Sequence, residues 1–307
     1  MRKRDFLSVT DVNERELRQL FREAKRYKRN RRLGSRLLAG KMVALIFEKP
    51  SMRTRVAFEV AVMQLGGALL SLGGDDVRLG QREPIKDVAR VLSRYVDAVV
   101  IRTFAHRIVE EFAAHARVPV INGLSDLLHP CQALADLLTL EEHFGRLKGL
   151  TVAYVGDGNN VLHALMQGCG LCGVNLAVAT PNGYRPEASI WASTTRQAKA
   201  RGATFTWSAD PQRAVRGADC IYTDVWVSMG AERERTKRRR AFGRYQVNER
   251  LLEAAARGCR VMHCLPAHRG EEITDQVMEG PRSLILEQAE NRLHVQKALL
   301  AFLLTKQ

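Results

Sequence analysis

The 307-residue sequence has few of the features that mark membrane-spanning, secreted or disulfide-rich proteins. Its apolar runs are short pieces such as residues 98–101, far below the ~20 residues that a membrane-spanning helix needs. The basic amino terminus is followed by neither an apolar signal core nor a small-residue cleavage site. The six cysteines are too few and too scattered for a disulfide framework. We therefore predict a cytoplasmic protein with reduced thiols and no membrane association.

What the chain does have is the composition of an average folded protein, with one bias. Hydrophobic residues make up 46% and charged residues 26%, as in a typical globular protein. At ~150 residues per domain, the length predicts two domains. The bias is in charge, because 48 Lys and Arg against 33 Asp and Glu leave a net charge of +15. Such a charge favours anionic partners.

The hydrophobic pattern alternates between short apolar runs and amphipathic stretches from residue 41 onward. This alternation is typical of an α/β fold with parallel sheets. A long helix predicted over residues 130–144 stops before Gly145, and a new strand follows, so we place the domain boundary between residues 147 and 148. The strands are predicted at residues 42–47, 68–72, 98–102, 119–121, 151–155, 175–179, 204–207, 220–223 and 260–264.

Helices are also predicted at both ends of the chain. Asp11 and Glu14 have the spacing of a capping box. They precede apolar residues that recur on one helical face, namely Leu17, Leu20, Phe21 and Ala24. The last stretch, residues 289–304, is helical by the same criterion, but its pattern does not indicate which domain it joins.

The first candidate site segment, residues 47–55, lies between a buried strand and an amphipathic helix. Ser51 and Thr54 can donate hydrogen bonds there, and Arg53 can bind an anion through two nitrogens. The free N–H groups and the dipole of the helix also favour an anion. A phosphate site is one interpretation. The other is that a hydroxyl only caps the helix while the arginines face solvent.

Three further polar side chains stand at the edge of the same predicted sheet. Arg102 ends a strand, where ligands collect in open α/β sheets, although an arginine there is often only a surface residue. His129 and Gln132 flank Pro130, which suits the first turn of a helix. They would project toward whatever binds at the amino end of that helix, with a purely structural histidine as the alternative.

The second half of the chain has two polar turns. Residues 155–161 resemble a dinucleotide fingerprint, but Val161 replaces its third glycine and the next strand ends without an acidic residue. The adjacent asparagines, Asn160 among them, can instead offer amides to a polar small molecule. After a later strand, Asp224 can pair with an ammonium group and Gly230 permits the loop to move. A plain turn or helix cap is the alternative there.

Cysteine and arginine clusters give three further hypotheses. Cys264 ends the last clear strand, next to His263, but sequence neighbours on a strand point to opposite faces, which disfavours a thiol–imidazole nucleophile. Cys169 and Cys172 lie in the second half of a helix, where close packing explains them better than redox or zinc chemistry. Residues 233–244 hold seven basic side chains in twelve positions, which we interpret as a solvated face.

Taken together, these segments resemble the carbamoyltransferases, and more closely the ornithine carbamoyltransferases. The similarity covers nearly the whole chain in order. The segments around Ser51 and His129 are similar to elements shared with the aspartate enzymes. Those around Asp224 and His263 are similar to elements particular to the ornithine enzymes. Met52 departs from the pattern, since many relatives carry Thr there.

The resemblance implies two doubly wound parallel-sheet domains joined by helices, with the C-terminal helix, residues 289–307, returning to the first domain. Carbamoyl phosphate would bind to domain 1–147 and ornithine to domain 148–288, in a homotrimer or a multiple of trimers. By similarity, the catalytic residues are Thr54, Arg102, His129 and Cys264. The carbamoyl phosphate residues would be Ser51, Met52, Arg53, Thr54, Arg102, His129, Gln132, Cys264, Leu265 and Arg292. The ornithine residues would be Asn160, Asp224, Ser228 and Met229.

The implied reaction is attack of the neutral δ-amine of ornithine on carbamoyl phosphate, through a tetrahedral intermediate, to give citrulline and phosphate in arginine biosynthesis. It requires neither a cofactor nor a metal. Two alternatives stay open: a carbamoyltransferase with another amine acceptor and, in a different class, a basic nucleic-acid-binding protein. Asp224 and Ser228 disfavour acceptors that lack a free α-amino acid group, and the sequence contains no recognisable nucleic-acid module.

Overall fold

The computed structural model describes residues 3–228, 230 and 232–305 of the chain. These residues form two compact units, one from the described parts of Met1–Ala135 and Glu290–Gln307, the other from Asp136–Ala289. The predicted class, α/β with two parallel-sheet domains and a C-terminal helix that returns to the first, is confirmed. The boundary between residues 147 and 148 stays a prediction; the compact units divide after Ala135.

The first unit contains a four-stranded parallel sheet. Its strands are β1 (Met42–Phe47), β2 (Ala68–Gly73), β3 (Ala98–Arg102) and β4 (Val120–Leu124), in the order β2-β1-β3-β4. Its helices are α1 (Glu14–Arg29), α2 (Met52–Gln64), α3 (Gly74–Val77), α4 (Ile85–Leu92), α5 (His106–His115) and the start of α6 (Pro130–Phe144). The strand order reverses between β1 and β3, and ligands of open α/β sheets bind at the carboxyl ends of such a pair.

The second unit contains a five-stranded parallel sheet. Its strands are β5 (Thr151–Val155), β6 (Asn175–Ala179), β7 (Phe205–Ser208), β8 (Cys220–Thr223) and β9 (Arg260–His263), in the order β7-β6-β5-β8-β9. The helices that follow α6 are α7 (Asn160–Cys172), α8 (Ala188–Ala200), α9 (Pro211–Val215), α10 (Arg235–Phe242), α11 (Glu249–Glu253), α12 (Asp275–Met278) and α13 (Ile285–Leu304). Here the strand order reverses between β5 and β8.

Both faces of the second sheet are buried, which is why its central strand reads as a continuous apolar run. Val152 and Tyr154 of β5 belong to one hydrophobic core, together with residues of α7. Ala153 and Val155 point the other way, into a second core that includes residues of α9 and α10. The polar residues are therefore left at the strand ends, where the turns emerge.

The amino-terminal turn differs from the sequence prediction. Asn13 caps α1 with Glu16 as its capping-box partner, whereas Asp11 pairs with Ser8 in a separate 3₁₀ turn. The predicted box of Asp11 and Glu14 is therefore wrong. All three pairs have the same spacing, so spacing alone does not select the register. The predicted apolar face of α1 is buried: Leu17, Leu20, Phe21 and Ala24.

Other boundaries differ as well. Three strands differ by one residue, since β2 ends at Gly73, β7 spans Phe205–Ser208 and β9 ends at His263. β4 continues to Leu124 instead of ending at residue 121, because its residues 122 and 124 still pair with β3. The turn-forming Asn122 is kept in the strand by its side-chain amide, which donates to the Leu7 carbonyl at 3.0 Å. α13 begins at Ile285 instead of residue 289. Among the described helices, none combines the length and the apolar character needed to cross a membrane.

Candidate active site

The carboxyl end of β1 leads directly into the amino terminus of α2. Ser51 caps this helix, and its Oγ accepts a hydrogen bond from the Thr54 N–H at 3.3 Å. Met52 and Arg53 lie in the first turn, with the Met52 side chain exposed. Ser51 thus has the capping role considered from the sequence. The helix dipole and the other N–H groups of the first turn still provide an anion-binding element.

Four buried polar side chains meet beside this helix. Arg292, from α13, donates to Thr54 Oγ1 at 2.7 Å and to Gln132 Oε1 at 2.5 Å. Arg102, at the end of β3, places its Nη1 3.5 Å from the same Thr54 oxygen. All four are at least 95% buried. The structure therefore brings together four of the side chains predicted for carbamoyl phosphate.

His129, immediately before α6, belongs to the same cluster. Burial, together with repulsion from Arg292, Arg102 and Arg53, holds the pKa of His129 well below its ordinary value, so the imidazole is neutral at physiological pH. Among the described residues, its Nδ1 has no hydrogen-bond partner. A buried polar atom of this kind is available to a small molecule.

The charge of this cluster suits an anion with an uncharged polar group. Three guanidinium groups, those of Arg53, Arg102 and Arg292, act electrostatically on His129, and the Thr54 and Gln132 side chains that Arg292 contacts are neutral. Guanidinium groups taken out of water are stabilised by an opposite charge, and they bind phosphate oxygens through charge-assisted hydrogen bonds. Neutral imidazole and hydroxyl groups are suited to the uncharged part of the same ligand.

In the second unit, the turns after β5, β8 and β9 meet through their side chains. Asn159 caps α7, and its Nδ2 donates to Asp224 Oδ2 at 2.7 Å. Cys264 follows β9 and directs its thiol to the other carboxylate oxygen of Asp224, at 3.0 Å. Asp224 is buried. Its carboxylate is therefore oriented from both sides, at the strand-order reversal.

The other residues predicted for ornithine adjoin these turns. Asn160 is the first residue of α7, and Ser228 is half-buried in the loop after β8. Met229 lies outside the described residues. Leu265 is half-buried and has a left-handed φ of 59°. The Asp224 carboxylate can pair with an ammonium group of a small molecule. The Asn160 amide and the Ser228 hydroxyl can donate hydrogen bonds to a carboxylate of the same molecule.

A metal ion would have to compete with existing hydrogen bonds at this edge. Asp224, His263 and Cys264 bring potential ligand atoms within 4.8 Å of one another. Both ring nitrogens of His263 are already engaged, since Nδ1 accepts the Leu265 N–H at 2.8 Å and Nε2 lies 3.1 Å from Glu272 Oε1. Both Asp224 oxygens also accept hydrogen bonds.

Packing within the second unit explains the glycine in the fingerprint-like turn. A Cβ on Gly158 would lie 2.4 Å from the backbone of residues 185–186. Glycine is therefore required there by another protein segment, whereas in a dinucleotide site it would allow the approach of a pyrophosphate. The geometry agrees with Val161 and the missing acidic residue in disfavouring a dinucleotide.

Comparison with known proteins decides the family. The model of the aspartate/ornithine carbamoyltransferase carbamoyl-P binding domain matches residues 4–142, and the model of the Asp/Orn binding domain matches residues 148–303. The chain belongs to the aspartate/ornithine carbamoyltransferase family. The resemblance noted in the sequence is thereby confirmed.

Several members of this family are similar to this chain over nearly their full length. The chain is 54% identical over 304 residues to an ornithine carbamoyltransferase of Methanoculleus marisnigri, which covers 98% of this chain and 97% of that protein. The solved structure of ornithine carbamoyltransferase from Pyrococcus furiosus gives a TM-score of 0.95 at 50% identity, covering 98% of this chain and 97% of that one. The structure from Gloeobacter violaceus gives 0.89 at 50% identity, covering 98% and 99%.

The sequence interpretation missed the structural role of Arg238. It donates to Asp157 Oδ2 at 2.7 Å and to the Trp226 carbonyl at 3.1 Å, so the solvated interpretation of residues 233–244 is wrong for Arg238. Burial raises the pKa of Asp157, and the Arg238 charge opposes this rise. The available signal was Phe242, four residues later on the same helical face and fully buried.

Asn159 was also missed, although the sequence did single out the pair of asparagines. Its side chain caps α7 and orients Asp224, whereas Asn160 begins the helix. Asn is a preferred cap residue, so the first asparagine of the pair was the natural candidate for the cap. The contact with Asp224 could not be predicted from spacing, because 65 residues separate the two.

Proposed function

We propose that the chain transfers the carbamoyl group of carbamoyl phosphate to the δ-amine of L-ornithine, giving L-citrulline and phosphate in arginine biosynthesis. The observation that carries the proposal is the buried cluster of Thr54, Arg102, Gln132 and Arg292 beside neutral His129. Membership of the aspartate/ornithine carbamoyltransferase family supports the reaction type.

Carbamoyl phosphate binds to the first unit in this proposal. Its phosphate is held at the amino terminus of α2 by Ser51, the Met52 N–H, Arg53, Thr54 and Arg102. The carbonyl oxygen faces Thr54, Arg102 and His129, where negative charge develops in the transition state. Preorganised donors at such a position are worth roughly 10²–10³ in turnover each. Gln132 accepts from the amide nitrogen and is itself oriented by Arg292.

Ornithine binds to the second unit through its α-amino acid group. The Asp224 carboxylate pairs with the α-ammonium, and Asn160, Ser228 and Met229 complete the recognition of the α-groups. This leaves the δ-amine free to react. Cys264 and Leu265 line the gap between the two substrates and contribute to the carbamoyl phosphate site, partly through backbone carbonyls. The Cys264 thiol already donates to Asp224, so its role is to orient that carboxylate.

The reaction is a direct displacement without a covalent enzyme intermediate. The lone pair of the neutral δ-amine forms a C–N bond with the carbonyl carbon, which gives a tetrahedral oxyanion. The C–O bond to phosphate then breaks, and the new amide nitrogen loses a proton. Orientation of the two reactants and stabilisation of the oxyanion and leaving phosphate supply the rate. The scheme needs neither a cofactor nor a metal.

Family membership also leads us to propose a homotrimer, or a multiple of trimers, in the cytoplasm. Sedimentation of the native protein should then give three times the chain mass or a multiple of that value. A monomer mass would contradict the assembly while leaving the reaction itself open to direct assay.

The reaction is tested by citrulline formation from carbamoyl phosphate, with ornithine, putrescine, N-acetylornithine and aspartate supplied in parallel as acceptors. Ornithine-selective turnover is the expected result, because only ornithine combines a free α-ammonium, an α-carboxylate and a δ-amine. Selective turnover with another acceptor would redirect the proposal to a related carbamoyltransferase. Silence with all four would refute it and favour the polyanion-binding alternative suggested by the charge of +15.

A further inference from the structure

A buried imidazole–carboxylate pair begins at the last residue of β9 and has no part in the proposed chemistry. His263 is 1% exposed and Glu272 is fully buried. The Leu265 N–H donates to His263 Nδ1 at 2.8 Å, which requires that Nδ1 carry no proton. The proton of the neutral ring is therefore on Nε2, which donates to Glu272 Oε1 at 3.1 Å.

This pair connects both ends of one segment, residues 263–272. Glu272 Oε1 also accepts the His268 N–H at 2.6 Å. On the other side, the His263 N–H donates to Gln288 Oε1 at 2.9 Å. The segment is therefore closed by a continuous set of hydrogen bonds, in which the His263 ring is the central member.

The residue that His263 holds has an unfavourable backbone conformation. Leu265 has φ of 59°, a left-handed geometry that carries an energetic cost for a residue with a Cβ. The hydrogen bond from its N–H to His263 offsets this cost. Leu265 follows Cys264, whose thiol donates to Asp224. The ring thus acts on the backbone that carries Cys264 toward the carboxylate.

We propose that His263 and Glu272 are positioning residues: the buried pair fixes the ring tautomer that holds Leu265, and so aligns the Cys264–Leu265 backbone and the Cys264 thiol with Asp224. The link to ornithine turnover rests on the proposed function, whereas the alignment of the thiol does not. The pair acts through the backbone, since the two ring nitrogens bond to Leu265 and Glu272 and the Cys264 thiol donates to Asp224.

Two substitutions of His263 separate its two hydrogen bonds. In His263→Asn the amide oxygen can take the place of Nδ1 and keep the Leu265 bond, whereas in His263→Gln the amide nitrogen can keep the Glu272 bond and lose Leu265. Because a buried hydrogen bond is worth roughly a factor of ten, kcat/KM for ornithine should fall about tenfold in His263→Gln and much less in His263→Asn.

The carboxylate and a matched histidine supply the controls. Glu272→Gln keeps an acceptor for Nε2 and should retain most activity, whereas Glu272→Ala should behave as His263→Gln does; this second pair carries the test if His263→Gln fails to fold. His268→Gln changes an exposed histidine of the same loop and should match the wild type. Equal kcat/KM in His263→Asn and His263→Gln, both folded, would overturn the proposal.

A second readout does not depend on the reaction. The alkylation rate of Cys264 by iodoacetamide, followed by peptide mass spectrometry, should rise several-fold in His263→Gln and remain near the wild-type rate in His263→Asn. If the wild type formed no citrulline, the proposed function would fail while this measurement still tested the alignment. An unchanged alkylation rate in folded His263→Gln would overturn the alignment, whatever the enzyme does.

Discussion

Replacing Arg238 by alanine should lower the free energy of unfolding by about 2–3 kcal/mol, since it removes a charge-assisted bond and leaves a buried carboxylate. The Arg238 guanidinium is 14% exposed and the Asp157 carboxylate 11% exposed. One charged hydrogen bond is worth about 1.5–3 kcal/mol, and breaking a fully buried pair costs about 3–5 kcal/mol. Partial exposure places this pair in the upper part of the first range.

The destabilisation should depend on pH in a defined direction. Burial raises the pKa of Asp157 and Arg238 opposes that rise, so removing the arginine raises this pKa further. A raised folded-state pKa favours the protonated form, and the associated stability is lost as pH rises through that pKa. The difference between variant and wild type should therefore be smaller near pH 4, closer to the titration of Asp157, than near pH 8.

Ornithine recognition should weaken in the same variant. Asp157 lies in the turn just before Asn159, and Trp226 lies in the loop between Asp224 and Ser228. Because Arg238 bonds to both segments, its removal releases them from one another. We expect a several-fold rise in the KM for ornithine, with carbamoyl phosphate affinity unchanged.

Urea unfolding at both pH values, with initial rates at varied ornithine, provides the measurement. Arg240→Ala is the matched control, because it removes the same side chain from an exposed position of α10; surface changes of this kind stay within about 0.5 kcal/mol. A double-mutant cycle with Asp157→Asn isolates the pairwise term. If Arg238→Ala unfolded like the control at pH 8, the reasoning would be refuted.

Three further predictions concern other parts of the molecule. Arg102→Ala should reduce kcat by roughly 10²–10³ in a folded protein, and near-normal citrulline formation would reject its role at the oxyanion. Asp224→Ala should raise the KM for ornithine while phosphate binding measured by calorimetry stays intact; an unchanged KM would reject the ammonium contact. Burial lowers the pKa of Lys297 from 10.5 to about 8, so above pH 8 the unfolded chain retains a proton that the folded one has lost, and stability should rise with pH by up to ~1.4 kcal/mol per unit. Urea unfolding of Lys297→Met should lack this contribution, and identical pH profiles would contradict it.

The strands and the longest interior helix were predictable because local signals decide them. The apolar runs of β1, β3 and β5 give strands with the expected bounds, since buried parallel strands read as continuous hydrophobic stretches. α6 begins at Pro130, which suits a first turn, and Gly145 follows its end. The cap of α1 was mispredicted because neighbouring pairs share one spacing, which only tertiary packing resolves.

The site was predictable as separate segments, but its contacts were not. Arg102 and His129 stand at strand and helix ends that sequence identifies, and the parallel arrangement brings such ends to one edge. The bonds of Arg292 to Thr54 and of Asn159 to Asp224 depend on strand order and on the return of the last helix, neither of which is encoded in local spacing. The role of Arg238 was missed for a related reason. The charge pattern of residues 233–244 does not indicate which basic side chain faces inward.

The contact between Thr54 and Arg292 has a consequence for how the protein is made. These residues are 238 positions apart in the chain, and at ~5–20 residues per second a ribosome needs about 10–50 s to synthesise the chain between them. A nascent chain therefore carries the α2 end of the cluster long before the arginine that completes it. A product truncated before α13 lacks that arginine however well its sheets fold. Competence to hold the anionic substrate is thus acquired only once Arg292 of α13 has been synthesised.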